Sequence, residues 1–179
     1  MTSNTTISNL ADLEFIPYLD ENGQLIDRFT GTIGVYAIFD QAKSLCYIGY
    51  SRDISLSLKQ HLVRQPQYCY WFKVQTIDRP SRAVLEGIRD AWIMENEAMP
   101  IGNGADEKCW TQAIDAKAKM TPEEQANYEA SDDLGKIKTL KQVARRVEQE
   151  VLSLLEARGV RLSIRFDPKL KEDGLLDVK

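Results

Sequence analysis

The first half of the chain alternates between strand-like and helix-like patterns of apolar residues. The segments "IGVYAIFD" and "SLCYIGYS", residues 33–40 and 44–51, are rich in β-branched and aromatic residues and are joined by the polar turn "DQAK". A third segment of this kind, "YCYWFKVQTI", covers residues 68–77. Such runs bounded by polar turns are typical of strands, and two that flank a short turn pair antiparallel. The pattern therefore predicts three strands, the first two of them paired.

Two amphipathic helices are predicted around the third strand. In the first, Ile54, Leu58 and Leu62 recur at four-residue steps behind a cap at Ser51 or Asp53, and His61 lies beside this apolar row. The second begins at Ser81, and its apolar face comprises Val84, Leu85, Ile88, Trp92 and Ile93. Strands and helices in this order predict an α+β fold.

The segments on either side of this region differ in character. An amino-terminal arm, "LEFIPYLDENGQLID", has two apolar runs around Asn22-Gly23, which predicts a hairpin, and Pro17 confines the first run to a sheet edge. The loop "MPIGNGADEK" is rich in glycine and ends the compact part of the chain. These breaks divide the chain into an arm at 1–30, a domain at 31–104 and an extension at 105–179.

The extension is predicted to be mainly helical. Thr121, Pro122 and Glu124 form a capping box with proline at the first helical position, which opens a polar helix. A long amphipathic helix follows within residues 131–159 and ends at Gly159. Its apolar stripe comprises Leu134, Ile137, Leu140, Ala144, Val147, Val151, Leu154 and Leu155. The strict alternation of "VRLSIRF", residues 160–166, predicts a short strand.

Composition excludes several classes of protein. At 179 residues, the chain has no run of about 18 apolar residues, and its polar start "MTSNTTISN" does not resemble a signal peptide, so we expect a cytoplasmic protein that does not enter membranes. Cys46, Cys69 and Cys109 are too widely spaced for a zinc knuckle and are expected to be buried. His61 is the only histidine, which excludes sites that need two.

The net charge of −4 argues against a general affinity of the whole chain for nucleic acid. The charge is unevenly distributed, however. Residues 34–80 carry a net +3, whereas residues 1–33 carry −4 and residues 81–179 carry −3. A nucleic-acid surface would therefore lie in the segment 34–80, although a solvated mixed face explains the same charges equally well.

That basic segment contains two related three-residue motifs, Gly34-Val35-Tyr36 and Tyr47-Ile48-Gly49. They are followed by Ser51 and by His61 on the first helix. In these residues, segment 34–62 resembles the GIY-YIG nuclease superfamily, and the resemblance extends over about residues 31–104. It is also similar to GIY-YIG-like proteins of cyanobacteria and to the amino-terminal domain of a plastid glutaredoxin. The resemblance implies a three-stranded antiparallel sheet with flanking helices and a magnesium-dependent phosphodiesterase site.

Transferred by position, the resemblance makes Tyr36, Tyr47 and His61 the candidate catalytic residues and Glu86 the candidate ligand of Mg²⁺. The candidate contacts to nucleic acid are Gly34, Gly49, Ser51, Arg52, Ser57 and Lys59. Ser57 stands where the family has an arginine, and a neutral hydroxyl does not replace a permanent bidentate cation at a phosphate. One alignment also puts Arg89 at the position of the metal-binding glutamate.

These departures favour a nuclease-like protein that binds nucleic acid and is weak or inactive as an enzyme. Two alternatives stay open. The first is an active Mg²⁺-dependent DNA endonuclease. The second is a regulatory subunit that uses the helix at 134–158 to bind a protein partner.

Overall fold

Three seven-residue strands, β2 (Ile33–Phe39), β3 (Leu45–Ser51) and β4 (Trp71–Ile77), form the centre of the first unit of the protein. The computed structural model describes residues 5–179. These residues separate into a unit that ends at Thr111 and a unit Gln112–Lys179. In the first unit, both β3 and β4 pair antiparallel with β2. The predicted α+β class and the antiparallel pairing of the first two predicted strands are confirmed.

A fourth strand comes from the amino-terminal arm. β1 (Ile16–Pro17) pairs antiparallel with β4, so the strand order is β1-β4-β2-β3 and the sheet has four strands instead of the predicted three. Pro17 lies on this edge strand, where its missing N–H costs no hydrogen bond within the sheet. The predicted hairpin is a tight turn closed by one bridge between Leu19 and Leu25. The first four residues of the arm, 1–30, lie outside the described residues.

Two helices cover the sheet. α1 (Ile54–Arg64) is capped by Asp53, whose carboxylate accepts from the Leu56 N–H, whereas Ser51, the other predicted cap, belongs to β3. α2 (Arg82–Glu95) is capped by Ser81, as predicted. A short helical turn at Leu10–Asp12 precedes β1, another at Ile101–Asn103 follows α2, and a five-residue helix, α3, covers Glu107–Thr111. The first unit thus includes α3, which the sequence-based division at 104 assigns to the extension.

Each helix packs on its own face of the sheet, because successive side chains of a strand point to opposite faces. On one face, the core joins strand residues to α2: Val35, Ala37, Phe39 and Ile48 pack with Leu85, Ile88 and Trp92. On the other face, α1 buries Ile54, Leu58 and Leu62. Tyr36 and Tyr47 alternate with the α2-facing residues and therefore point towards α1.

The second unit is mainly helical. α4 (Pro122–Ala130) begins with the predicted capping box and buries no residue. α5 (Asp133–Ala157) buries Leu140, Val143, Ala144, Val147, Val151 and Leu155. Arg146 of α5 binds Glu124 of α4 at 2.8 Å, which joins the two helices. Two-residue strands β5 (Ile114–Asp115) and β6 (Leu175–Leu176) pair, and helical turns lie at Lys117–Lys119 and Leu170–Asp173.

Some predictions for single segments are wrong. Residues 160–166 alternate in burial as predicted, but they form no regular strand, since only Phe166 makes a bridge, to Val178. Leu134, Ile137 and Leu154 of the α5 stripe are exposed, as is Cys109, whereas Cys46 and Cys69 are buried.

Among residues 5–179, no helix combines the length and apolar character needed to cross a bilayer.

Candidate functional site

Tyr36, Tyr47 and His61 meet on the α1 face of the sheet. The Tyr36 phenolic oxygen lies 2.7 Å from His61 Nε2. The ring centroids of Tyr36 and Tyr47 are 6.2 Å apart, and that of His61 is 4.7 Å from that of Tyr47. All three side chains are at least nine-tenths buried. The structure therefore brings the three candidate catalytic residues together, in the protein interior and not in an open groove.

Gly49 makes this convergence possible. It pairs with Tyr36 across β2 and β3. A Cβ atom at position 49 would lie 2.8 Å from the Tyr36 hydroxyl and 2.6 Å from the Tyr47 ring, closer than side-chain carbons approach other atoms. The second glycine of the motif, Gly34, lies on the same face beside Ile54 of α1.

Burial keeps the cluster uncharged at neutral pH. Desolvation raises the pKa of Tyr36 well above its ordinary value, and the neighbouring Tyr47 raises it further. Desolvation also raises the pKa of Tyr47. Burial lowers the pKa of His61 to about 3, and the charge of Arg64 lowers it as well. A phenolate base and an imidazolium acid are both disfavoured in this environment.

Ser57 lies next to this cluster, at the position where the resemblance implies an arginine. Its hydroxyl donates to Ser51 Oγ at 2.7 Å, and its side chain lowers the pKa of Tyr36, a smaller effect than the rise caused by desolvation. Ser51 Oγ in turn donates to the Asp53 carbonyl. Arg52 is exposed before α1 and Lys59 is half-buried on it, so these two cations lie outside the buried cluster.

Sequence reasoning missed Arg64, the cation that acts on all three cluster residues. Its positive charge lowers the pKa of Tyr36, Tyr47 and His61. Arg64 Nη1 also donates to the Trp110 carbonyl at 3.0 Å. Arg64 follows His61 by three residues, the spacing that puts two residues on one helix face, and this was the signal in the sequence.

Trp110 of α3 is the second residue that sequence reasoning missed. Its indole stacks on the Tyr47 ring, with centroids 5.3 Å apart and an interplanar angle of 10°. It also lies 5.7 Å from the His61 ring. A single large apolar residue within the polar stretch "DEKCWTQ" was the only hint of this packing.

The predicted metal ligand does not face the phenols. Glu86 Oε1 accepts hydrogen bonds from Arg82 Nε at 2.7 Å and from the Tyr50 hydroxyl at 3.1 Å. Tyr50 alternates with Tyr47 and Gly49 along β3 and packs against the α2 side of the sheet. Among residues 5–179, no three His, Cys, Asp or Glu side chains converge to hold a metal ion. Glu86 thus supplies no carboxylate to Tyr36 and Tyr47, and the groups that adjoin the two phenols in the cluster, His61 and Ser57, are not the anionic oxygen ligands that Mg²⁺ prefers.

A cavity of about 440 Å³ runs along β3, which is an edge strand. Its lining includes Tyr47, Arg89, Asp90 and Glu107, and Arg89 binds Asp90 at 3.0 Å. Arg89 lowers the pKa of Tyr47, whereas Glu107 raises it. Arg89 is the residue that one alignment puts at the position of the metal-binding glutamate. The cavity thus has a guanidinium group at that position instead of a carboxylate.

Asn103 closes part of the same edge. Its side-chain oxygen accepts from the Ile48 N–H and its side-chain nitrogen donates to the Ile48 carbonyl, both at 2.7 Å. The amide thus makes the two hydrogen bonds that a neighbouring strand would make. Asn103 therefore anchors the segment that leads into α3.

Comparison with known proteins yields a partial similarity. No protein-family model matches the chain. The chain is 30% identical over 92 residues to a protein of Arabidopsis thaliana named "bifunctional monothiol glutaredoxin-S16, chloroplastic". The match covers 51% of this chain but only 30% of that protein. Membership of the GIY-YIG superfamily therefore stays an interpretation of the motif residues.

Proposed function

We propose that the first unit is a GIY-YIG-like domain that binds nucleic acid and hydrolyses it weakly or not at all. The observation that carries this proposal is the buried hydrogen bond between Tyr36 and His61. It keeps the motif's side chains together while burial holds them neutral.

Weak hydrolysis follows from what a phosphodiester requires. The attacking water must lose a proton, and cations must stabilise the charge that develops on the phosphate. In this cluster the phenol pKa values are raised, Ser57 provides only a hydroxyl and Glu86 points to the other face of the sheet. Arg64 is the cation whose charge lowers the pKa of all three cluster residues, and its guanidinium group already donates to the Trp110 carbonyl.

The binding part of the proposal is supported by charge. Residues 34–80 carry a net charge of +3, although the whole chain is at −4, and Arg52 is exposed where β3 leads into α1. Contacts of this kind bind phosphates without a metal ion and weaken as salt increases.

Thiol redox chemistry, which the relative's name suggests for that protein, is not part of the proposal. Two of the three cysteines, Cys46 and Cys69, are buried, and burial raises the pKa of the Cys46 thiol to about 11, whereas Cys109 is exposed on α3. Reactive thiols have lowered pKa values. A cytoplasmic location and a protein partner for residues 134–158 stay predictions.

Two measurements test the proposal. Fluorescence titration of labelled duplex DNA should show binding that weakens with salt and is reduced in the double variant Arg52→Ala/Lys59→Ala. The matched control Lys138→Ala/Arg145→Ala removes two exposed charges from α5 and should bind like wild type. Absence of binding at low salt would favour the protein-interaction alternative.

The second measurement is nicking of supercoiled plasmid in the presence of Mg²⁺. We expect the wild-type protein to nick the plasmid weakly or not at all. Complete nicking at substoichiometric wild-type protein that disappears in Tyr36→Phe would instead establish an active endonuclease.

A further inference from the structure

The packing of Trp110 is unusual for its place in the chain. α3 has five residues and lies outside the sheet, yet its tryptophan is only 1% exposed. The indole is nearly parallel to the Tyr47 ring and is also 6.2 Å from the Tyr68 ring. The segment before α3 is shaped to admit it, because a Cβ atom on Gly102 would lie 2.9 Å from the indole. Trp110 thus covers the Tyr47 side of the tyrosine–histidine cluster.

Side chains at the end of α1 donate to two backbone carbonyls of α3. Arg64 Nη1 donates to the Trp110 carbonyl at 3.0 Å, and Gln65 Nε2 donates to the Cys109 carbonyl at 3.3 Å. The firm anchor of the segment is Asn103, which precedes α3. On another side, Glu107 and Thr111 line the cavity along β3, so α3 is packed on part of its surface only. α3 is thus held by side chains at the end of α1, whereas the segment before it is held separately by Asn103 on β3.

Stacking of an indole on a phenol at this angle resembles the stacking of a nucleobase on an aromatic side chain. Proteins bind single strands through such aromatic faces, and base stacking tolerates any sequence. A base within a duplex is already stacked on both sides and is not free to do this. The ligand that would compete with Trp110 for the face of the Tyr47 ring is accordingly an unpaired base.

We propose that the ring face of Tyr47 is a stacking subsite for an unpaired nucleobase and that Trp110 occupies it until α3 is displaced. This inference rests on the proposed function, since it assumes that the domain meets nucleic acid. It assigns the substrate class, single-stranded nucleic acid, and makes α3 an internal competitor of that ligand. Cations of the segment 34–80 would bind the phosphates beside the stacked base.

The test compares wild type, Trp110→Ala and Trp110→Phe in fluorescence anisotropy with a labelled oligothymidylate of eight nucleotides. Trp110→Ala should bind at least about fivefold more tightly than wild type, because the competing stack is gone. Trp110→Phe should lie between them. Adding Tyr47→Leu to Trp110→Ala should remove the gain. A folded Trp110→Ala that binds no more tightly than wild type would overturn the inference, as would a gain that survives Tyr47→Leu.

A second measurement applies if Trp110→Ala does not fold. The chain has three tryptophans, and Trp92 is fully buried in the α2 core. In a Trp71→Phe background, the oligonucleotide should therefore change the emission of Trp110 as the indole leaves Tyr47. Binding without any change in emission would overturn the inference and leave the proposed function intact. Absence of all nucleic-acid binding, by wild type and variants alike, would overturn both.

Discussion

Tyr36 and His61 share a 2.7 Å hydrogen bond in the interior of the first unit, between a strand residue and a helix residue. The imidazole Nε2 atom is thereby satisfied, whereas Nδ1 has no partner of ordinary geometry among the described residues. The nearby Trp110 backbone raises the pKa of His61 only as a minor effect beside burial. A histidine in this environment is a neutral hydrogen-bonding group.

The first prediction concerns acid stability. The folded protein lowers the pKa of His61 from 6.5 to about 3, so the unfolded chain takes up this proton first as the pH falls. The contribution of His61 is therefore present above about pH 6.5 and is lost between pH 6.5 and about 3, by about 4 kcal/mol in all. Urea unfolding at several pH values should show a steeper loss for wild type than for His61→Gln. Equal slopes would mean that His61 takes up its proton at the same pH in the folded and the unfolded state.

The second prediction concerns the missing guanidinium. Ser57→Arg adds a cation beside Tyr36 but leaves Glu86 on the other face of the sheet. We expect severalfold tighter, salt-sensitive binding of DNA without nicking of plasmid in Mg²⁺. Leu56→Arg, at an exposed position one residue earlier, adds the same charge and should bind DNA less tightly than Ser57→Arg. Nicking that appears in Ser57→Arg alone would show that the arginine was the only group lacking.

The third prediction concerns the edge of the sheet. Asn103→Ala removes both hydrogen bonds to Ile48 and should lower the free energy of unfolding by about 1–3 kcal/mol. It also uncovers an edge strand, which favours self-association. Chemical denaturation and analytical ultracentrifugation measure the two effects. The control Asn96→Ala loses one exposed bond, to the Ala98 carbonyl, and should behave like wild type.

The fourth prediction concerns the amino-terminal arm. The two carboxylate oxygens of Glu95 accept from the Leu10 and Ala11 N–H groups at 2.8 and 2.9 Å. Glu95→Ala should lower the free energy of unfolding by about 1–3 kcal/mol and speed the exchange of both amide hydrogens. Hydrogen exchange read by NMR gives the rates. Unchanged exchange at Leu10 would show that other contacts hold the arm; Glu97→Ala, nearby and exposed, is the control.

Local sequence patterns predicted the elements that depend on neighbours in the chain. The caps at Asp53, Ser81 and Thr121 accept hydrogen bonds from the N–H group three residues later, so a short stretch of sequence contains both partners. The buried faces of α1 and α2 follow from helical spacing in the same way. Strand pairing in the extension could not be predicted from local patterns in this way. Residues 160–166 alternate as a strand does, but alternation does not provide a partner, and the strands that pair are β5 and β6.

Strand and helix periods set the direction of each side chain, so the pattern of residues predicts that two tyrosines and a histidine share one face of the sheet. The pattern does not predict that this face is closed, that Trp110 lies on Tyr47 or that Glu86 binds Tyr50 on the opposite side. These contacts join residues that are far apart in the chain. They depend on how whole elements pack together, and no local period records that packing.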